Sequence, residues 1–435
     1  MHKSKKVEEF NLNIKSKDID PGALYIMNKL NDSGYAAFVV GGCIRNLIMR
    51  ECIQDWDITT NATVEEIIGV FRDYKVVPMG KRFGTLTIVI NHINYEVSTF
   101  KKGKSLAEPP TLFEDLRHRD FTINALAWRE EEGLIDYFNG VEDIKRKIIK
   151  GVEEPAKRIK EDPLRMFRAI RLACELEFEI DRITLQAIED NSSLIKKVSL
   201  ERIRDELIKI LISNFPKKGF QLLQQLGLLK YIFPELESTV GFYVESNHKE
   251  EDLFSYILDI LDNLPPDLVL RLSILLYGVK KLTASYSKKE IANKILYRLR
   301  FKNSLIKRVN VLIREDWRKA DFSSRRNIRR LISQLGEENV LSILEFKKAH
   351  FKVRKDADKL RQLGKIEKEI REVLQERPPL SLKDLAINGK DLINLGFQEG
   401  KVIGEILRIL LDIVINKSEL NKREILLELA KEQKK

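Results

Sequence analysis

The chain has 435 residues, 43% of them hydrophobic, and carries a formal net charge of +11. That length is more than one hydrophobic core serves, so two to four domains are expected, and the basic surplus favours an anionic partner, of which nucleic acid is the commonest. Three cysteines (Cys43, Cys52, Cys174) with no CxxC pair exclude a disulfide scaffold, no run of eighteen apolar residues exists to span a membrane, and the charged start MHKSKKVEEF lacks a signal-peptide stretch, so a soluble cytoplasmic protein is expected.

In chain order, residues 23–33 have a helical pattern, followed by an apolar strand from Ala36 to Val40 that runs into Gly41-Gly42. A second helix is expected over 43–50, and Asp55-Trp56-Asp57-Ile58-Thr59 alternates like a strand. Leu86 to Ile90 and Ile93 to Val97 are β-rich runs separated by Asn91-His92, which predicts a hairpin. Strands mixed with helices point to a small α+β domain with a mixed sheet over residues 1–150. Beyond residue 150 no strand signal stands out. Apolar residues recur at three- and four-residue spacing through 163–175, 200–212, 217–230, 252–263, 267–280, 288–299, 326–335, 338–347, 364–375 and 401–415. Pro216, Pro234, Pro265-Pro266 and Pro378-Pro379 mark helix ends in this all-helical remainder.

The chemistry concentrates in a few short stretches. Gly41-Gly42-Cys43-Ile44-Arg45 is followed ten residues later by Asp55-Trp56-Asp57. Aspartates at i and i+2 of a strand project from one face, and two carboxylates held together repel unless divalent cations relieve them. Mg²⁺ takes one or two carboxylates plus substrate phosphates, and two ions can serve the attacking hydroxyl and the leaving pyrophosphate. The glycine pair lets backbone N–H groups approach a triphosphate, with Arg45 at the start of the next helix as a phosphate contact. Either motif alone reads equally well as a turn or a solvated strand end. Glu96, on the Tyr95–Thr99 run, is a candidate third carboxylate or an outward-facing strand charge.

Arg117-His118-Arg119-Asp120-Phe121-Thr122-Ile123-Asn124 packs arginines suited to phosphate oxygens beside a carboxylate suited to ribose hydroxyls. The plainer reading is a charged helix start. In Glu161-Asp162-Pro163-Leu164-Arg165, Pro163 suits the first turn of a helix and Asp162 its cap. Asp162 and Arg165, three apart, can read the Watson–Crick edge of cytosine or adenine, and Arg168 and Arg171 continue that face toward phosphates. A solvated ion pair explains the same spacing.

In this order the segments GGCIRN, DWD, RHRDFTINA and EDPLRMFRAIR resemble the class II tRNA nucleotidyltransferase and bacterial poly(A) polymerase family. The likeness extends to YFNGVEDIKRKII (137–149) and LAINGKDLI (385–393), while residues 215–375 match in helical character alone. The resemblance implies a polymerase-β-like head over 1–150, then a helical neck (151–215), body (216–350) and tail (351–435), the last gripping the acceptor stem and elbow of tRNA. It implies Asp55 and Asp57 as ligands of two Mg²⁺ ions and Arg119 as a catalytic contact to phosphate. Gly41, Gly42, Arg45, Asp120, Asn124, Arg168 and Arg171 are expected to bind the nucleotide, with Glu161, Asp162 and Arg165 selecting CTP and, in full CCA enzymes, ATP.

Three departures stand out. Asn46 replaces the aspartate usual after GGxxR, and His118 replaces the first arginine of RRDFT. Between Thr99-Phe100 and Glu114-Asp115-Leu116 lie the thirteen residues KKGKSLAEPPTLF, where CCA-adding relatives carry a longer loop associated with switching from CTP to ATP. A lever needs length to move, so the expectation is a CC-adding enzyme that leaves the terminal A to a partner enzyme. Full CCA addition, poly(A) synthesis and a non-catalytic RNA-binding protein are the alternatives. Arg325-Arg326, Arg329-Arg330, Lys347-Lys348 and Lys352 to Lys355 could track an RNA backbone or face solvent.

Overall fold

The computed structural model describes residues 10–78, 84–101, 109–246, 249–279, 287–314, 316–376 and 378–433. Two compact units divide the chain, Met1–Ile232 and Phe233–Lys435.

The first unit is built on a mixed sheet. Helix α1 (Pro21–Asp32) starts at Asp20, whose carboxylate accepts from the Gly22 and Ala23 N–H groups. It leads to β1 (Ala37–Val40), α2 (Gly42–Met49), β2 (Asp57–Thr60), α3 (Val64–Val70), β3 (Lys75–Pro78), β4 (Thr85–Ile90) and β5 (Ile93–Thr99). Then come α4 (Leu112–Arg117), β6 (Leu126–Arg129), β7 (Gly133–Asp136), α5 (Gly140–Lys145) and β8 (Ile148–Ile149). Seven strands order as β3-β4-β5-β2-β1-β6-β7, antiparallel throughout except for the β2–β5 pair. All of β1 is buried, consistent with its central place between β2 and β6. Asn91 (φ 50°) and His92 (φ 66°) make the tight β4–β5 turn, as two-residue hairpins demand.

Helices α6 (Pro155–Glu161), α7 (Arg165–Leu176), α8 (Arg182–Asn191), α9 (Leu200–Ile212), α10 (Pro216–Gln225) and α11 (Leu229–Ile232) complete this unit. The amphipathic α7 buries Met166, Phe167, Ala169, Ile170 and Ala173, and it packs against α9 and α10. Its sequence neighbour β9 (Glu179–Ile180) pairs in parallel with β8, so the region past residue 150 is not free of strands.

The second unit runs α12 (Pro234–Glu237), β10 (Tyr243–Ser246), β11 (Lys249–Asp252), α13 (Leu253–Asp262), α14 (Leu268–Val279), α15 (Lys288–Arg298), α16 (Asn303–Arg314), α17 (Arg325–Leu335), α18 (Glu337–Val353), α19 (Ala357–Gln375), α20 (Gly389–Asn394), α21 (Lys401–Asn416) and α22 (Arg423–Glu432). The β10–β11 hairpin is a second departure from the all-helical expectation. Trp317 and Phe346 anchor the core, and the Tyr256 hydroxyl meets His350 Nδ1 at 2.6 Å. Burial, helped by Arg318 and Arg354, pushes the His350 imidazole down to about 4. Several basic clusters are ion-paired: Arg325 with Glu372 and Glu376, Arg329 with Glu376, Lys348 with Glu345 and Glu367. No described helix is long and apolar enough to cross a membrane.

Candidate active site

Strand β1 is followed by Gly41, whose φ of 88° lies where an L side chain is strained. A Cβ there would stand 2.8 Å from Arg119 Nη1 and 3.5 Å from Asp57 Oδ2, so conformation requires glycine and a side chain would displace the Arg119 guanidinium. The expected strand pair of aspartates is half right: Asp57 opens β2, whereas Asp55 lies in the exposed approach before it. Asp57 is held opposite Val40 of β1 and Glu96 of β5. Burial raises the Asp57 carboxyl, with Arg119 opposing and Asp55 adding to the shift. Glu96 is likewise raised by burial, then by Asp57 and Asp55. Among the described residues, however, no three acidic, His or Cys side chains form a ready-made metal cluster. Glu96 faces Asp57 in register across β2 and β5.

Arginine 119 is set by α4: it lies 3.6 Å from Asp115 Oδ2, and Asp115 in turn accepts from the Thr59 hydroxyl and the Lys101 N–H. Asp120 is buried and accepts from Phe121 N–H and Asn124 Nδ2, and its other oxygen lies 2.7 Å from Arg168. Burial pushes its carboxyl up, but Arg168 and Arg165 outweigh this and the net shift is down. Asn124 also accepts from Arg45 Nη1 at 2.6 Å. The remaining Arg45 donors go to Asn46 Oδ1 at 3.1 and 2.8 Å, which gives the unusual Asn46 its local role as a neutral support. His118 likewise acts through its backbone, accepting from Arg165 Nη2 at 2.6 Å, while its ring Nδ1 meets the Glu114 carbonyl at 2.7 Å.

The helix start expected at Asp162-Pro163 is displaced. Asp162 is the C-cap of α6, and α7 begins at Arg165, whose N–H bonds to the Asp162 carbonyl at 3.0 Å. The intervening break turns the Asp162 carboxylate toward Arg202 of α9, which donates to both oxygens at 3.3 and 2.8 Å. Burial opposes ionisation of Asp162, but Arg202 wins and the carboxyl is lowered. Arg165 bonds to the Arg158 carbonyl and pairs with Glu161 at 3.5 Å. Arg171 pairs with Glu175 and Glu206, so it and Arg168 already have carboxylate partners. Sequence reasoning missed Arg202, Asp115 and Arg158. Only Asp115 left a signal, four residues before Arg119 on a helix.

Two cavities share Gly42, Asp57, Asn124 and Arg168. The smaller, about 270 Å³, brings Gly41, Arg119, Asp120, Asp162 and Arg165 together. The larger, about 690 Å³, is lined by Arg45, Asp55, Arg171 and Lys209. Neither includes Glu96 or Glu161.

Residues 37–150 match the family "Poly A polymerase head domain", 177–239 "Probable RNA and SrmB-binding site of polymerase A" and 280–430 "tRNA nucleotidyltransferase domain 2 putative". The chain is 30% identical over 428 residues to a CCA-adding enzyme of Ligilactobacillus salivarius, spanning 94% of this chain and 95% of that one. Similarity to a CCA-adding enzyme of Staphylococcus epidermidis is 32% over 427 residues, spanning 95% and 98%. The chain belongs to the class II tRNA nucleotidyltransferase family. A crystal structure of the Bacillus stearothermophilus CCA-adding enzyme in complex with CTP, 27% identical, aligns with a TM-score of 0.79 over 96% of this chain and 98% of that one. Family membership makes the chain a nucleotidyltransferase of tRNA with the α+β head and helical remainder expected from sequence. Within the short 101–113 segment, residues 102–108 lie outside the described residues.

Proposed function

We propose that this member of the family builds the whole CCA end of tRNA from CTP and ATP. The observation that carries the reading is that one cavity joins the edge-reading pair Asp162 and Arg165 to Asp57, Arg119 and Asp120. The near full-length relatives are CCA-adding enzymes, which favours full CCA addition over the CC-only expectation. In this reading Asp162 accepts from the amino group of the base and Arg165 donates to its ring acceptors. Arg202 and the backbone carbonyls fix both side chains before the nucleotide arrives. In this reading Asp120, with Asn124, holds a ribose hydroxyl, and Arg119 contacts the α-phosphate. The 3′ oxygen of the tRNA bonds to the α-phosphorus, the bond to the β-phosphate oxygen breaks, and pyrophosphate leaves as the hydroxyl proton is lost.

Asp55 and Asp57 suit Mg²⁺, since their charges repel one another and the Asp57 carboxyl is raised by burial. Bound there, Mg²⁺ would supply charge neutralisation at the transferring phosphate and activation of the hydroxyl. In this reading a mixed-sheet head to residue 150 is followed by a helical neck to 215, body to 350 and tail, with tRNA held by the carboxyl-terminal parts.

A second reading, CC-only addition followed by a separate A-adding enzyme, rests on the thirteen-residue segment KKGKSLAEPPTLF. The test is extension of a tRNA transcript lacking its CCA end, with Mg²⁺, CTP and ATP together. A three-residue product ending in A is expected. Arrest at two residues with ATP present would replace this reading by CC addition, and no addition would leave an RNA-binding protein.

A further inference from the structure

Asp57 lines both cavities, and the phosphate contacts expected from the sequence, Gly42 and Arg45, line the larger one together with Asp55. In an in-line displacement the attacking oxygen approaches from the side opposite the leaving group. On the nucleotidyl-transfer reading pyrophosphate leaves through the larger cavity, so the acceptor must reach Asp57 from the smaller. One wall of that smaller cavity has no part in holding base or ribose. It is made by Thr85 of β4, Ser98 and Thr99 at the end of β5, and Lys101 just beyond.

Most of the polar groups around this space are already spent. Asp120, Asp162, Arg165 and Arg119 have charged partners, and the Ser98 hydroxyl donates to the Ile58 carbonyl at 3.3 Å. Among the described residues, the Thr85 and Thr99 hydroxyls and the Lys101 ammonium have no hydrogen-bond partner, and the ammonium pairs with no carboxylate. Lys101 is nonetheless fixed in place: its N–H donates at 3.1 Å to Asp115, the carboxylate that also sets Arg119. The residue is open to solvent, yet protein crowds its ammonium. That desolvation, then Arg165, lowers it from the ordinary lysine range although Asp115 and Asp120 oppose the shift. A lysine held beside two arginines is stabilised by an arriving anion.

We propose that Lys101, with the hydroxyls of Thr85 and Thr99, holds the last phosphodiester of the acceptor RNA strand and so brings its terminal ribose to the transfer site. The inference rests on the nucleotidyl-transfer reading and gives the second substrate its contacts in the head. All three residues lie outside GGCIRN, DWD, RHRDFTINA and EDPLRMFRAIR. A phosphodiester oxygen accepts from an ammonium and from hydroxyls alike, and every strand end presents one whatever its base.

The experiment is equilibrium binding of tRNA lacking its CCA end to the full chain, with Mg²⁺ and no nucleotide. The last internucleotide linkage is either the natural phosphodiester or an uncharged methylphosphonate. The wild type should bind the methylphosphonate end about 10-fold more weakly, the loss of one charge-assisted contact. Lys101→Gln should bind the natural end about 10-fold more weakly, with no further loss from methylphosphonate. Lys101→Arg should restore the difference, and CTP affinity should be unchanged in both variants. Wild-type indifference to the methylphosphonate overturns the proposal. So does a Lys101→Gln chain that still discriminates the two ends, which marks a diffuse or structural effect. Equal loss of CTP affinity also overturns it, because Lys101 would then belong to the incoming nucleotide. The two readings fail separately: charge-dependent binding of the end without extension removes the reaction and leaves the site, and normal extension without charge dependence does the reverse.

Discussion

The two cavities that meet at Asp57 are balanced in opposite ways. In the smaller, the groups assigned to base and ribose have fixed partners: Asp120 has Arg168, Asp162 has Arg202, and Arg165 has Glu161 and two carbonyls. In the larger, among the described residues, Arg45 bonds to amides alone and Lys209 has no acid. On the proposed reading, the difference follows from what each would hold. Reading a base edge requires donors and acceptors locked in direction, and saturated pairs supply that at the expense of net charge. A polyphosphate is recognised chiefly by charge, so cations left without carboxylates are the useful arrangement.

Breaking the residue common to both cavities should have the largest effect. Asp57→Ala is expected to lower single-turnover nucleotide addition by about 1000-fold or more, roughly 4 kcal/mol of barrier. Residual activity within 10-fold of the wild type would remove Asp57 from the chemistry. Next in size is the clamp that orients the reading pair. Arg202→Ala should reduce discrimination of CTP against UTP, measured as the ratio of kcat/KM values, by about 30-fold, or ~2 kcal/mol. Unchanged discrimination would mean that Asp162 needs no support from α9.

The smallest effects concern stability, and their signs should differ. Asp120 is lowered in the folded chain, so its contribution is present above the ordinary carboxylate range and is lost as pH falls through its depressed value. Asp120→Asn should therefore destabilise at neutral pH, by about 2 kcal/mol, because it leaves Arg168 without its counter-charge. Asp57 is raised, so its ionisation weighs against folding, and the cation-free chain loses stability as pH rises through that raised value. Asp57→Asn in chelator should raise Tm at neutral pH, because it removes a buried charge whose ionisation opposes folding. Thermal melts across pH check both, and equal signs would show that neutralisation of the two carboxylates is not what separates them.

Much of this site is legible in the sequence because its residues sit in short motifs. Gly41-Gly42, Asp57, Arg119-Asp120 and Asp162…Arg165 come together around one cavity or its neighbour as expected. The errors have local causes. Asp-Pro reads as a helix start, but a break between α6 and α7 makes Asp162 the end of one helix, with its carbonyl bonded to Arg165 N–H. The strands β8 and β9 have two residues each, too short for alternation to show. In the second unit, basic clusters that looked available to RNA are partly spent on glutamates in and just after α19, as at Arg325. Helical spacing shows that a residue lies on a face, and not what that face meets.

The sequence by itself determined the class of chemistry, the mixed sheet followed by helices, and the family, because these depend on residue type, order and periodicity. Only the tertiary structure decided which charges are cancelled. Arg202 reaches Asp162 across 40 positions and Arg45 reaches Asn124 across 79. Such pairings depend on how α7 packs on α9 and α2 on the sheet, and Coulomb and desolvation energies depend on separation and burial, which a linear pattern does not contain.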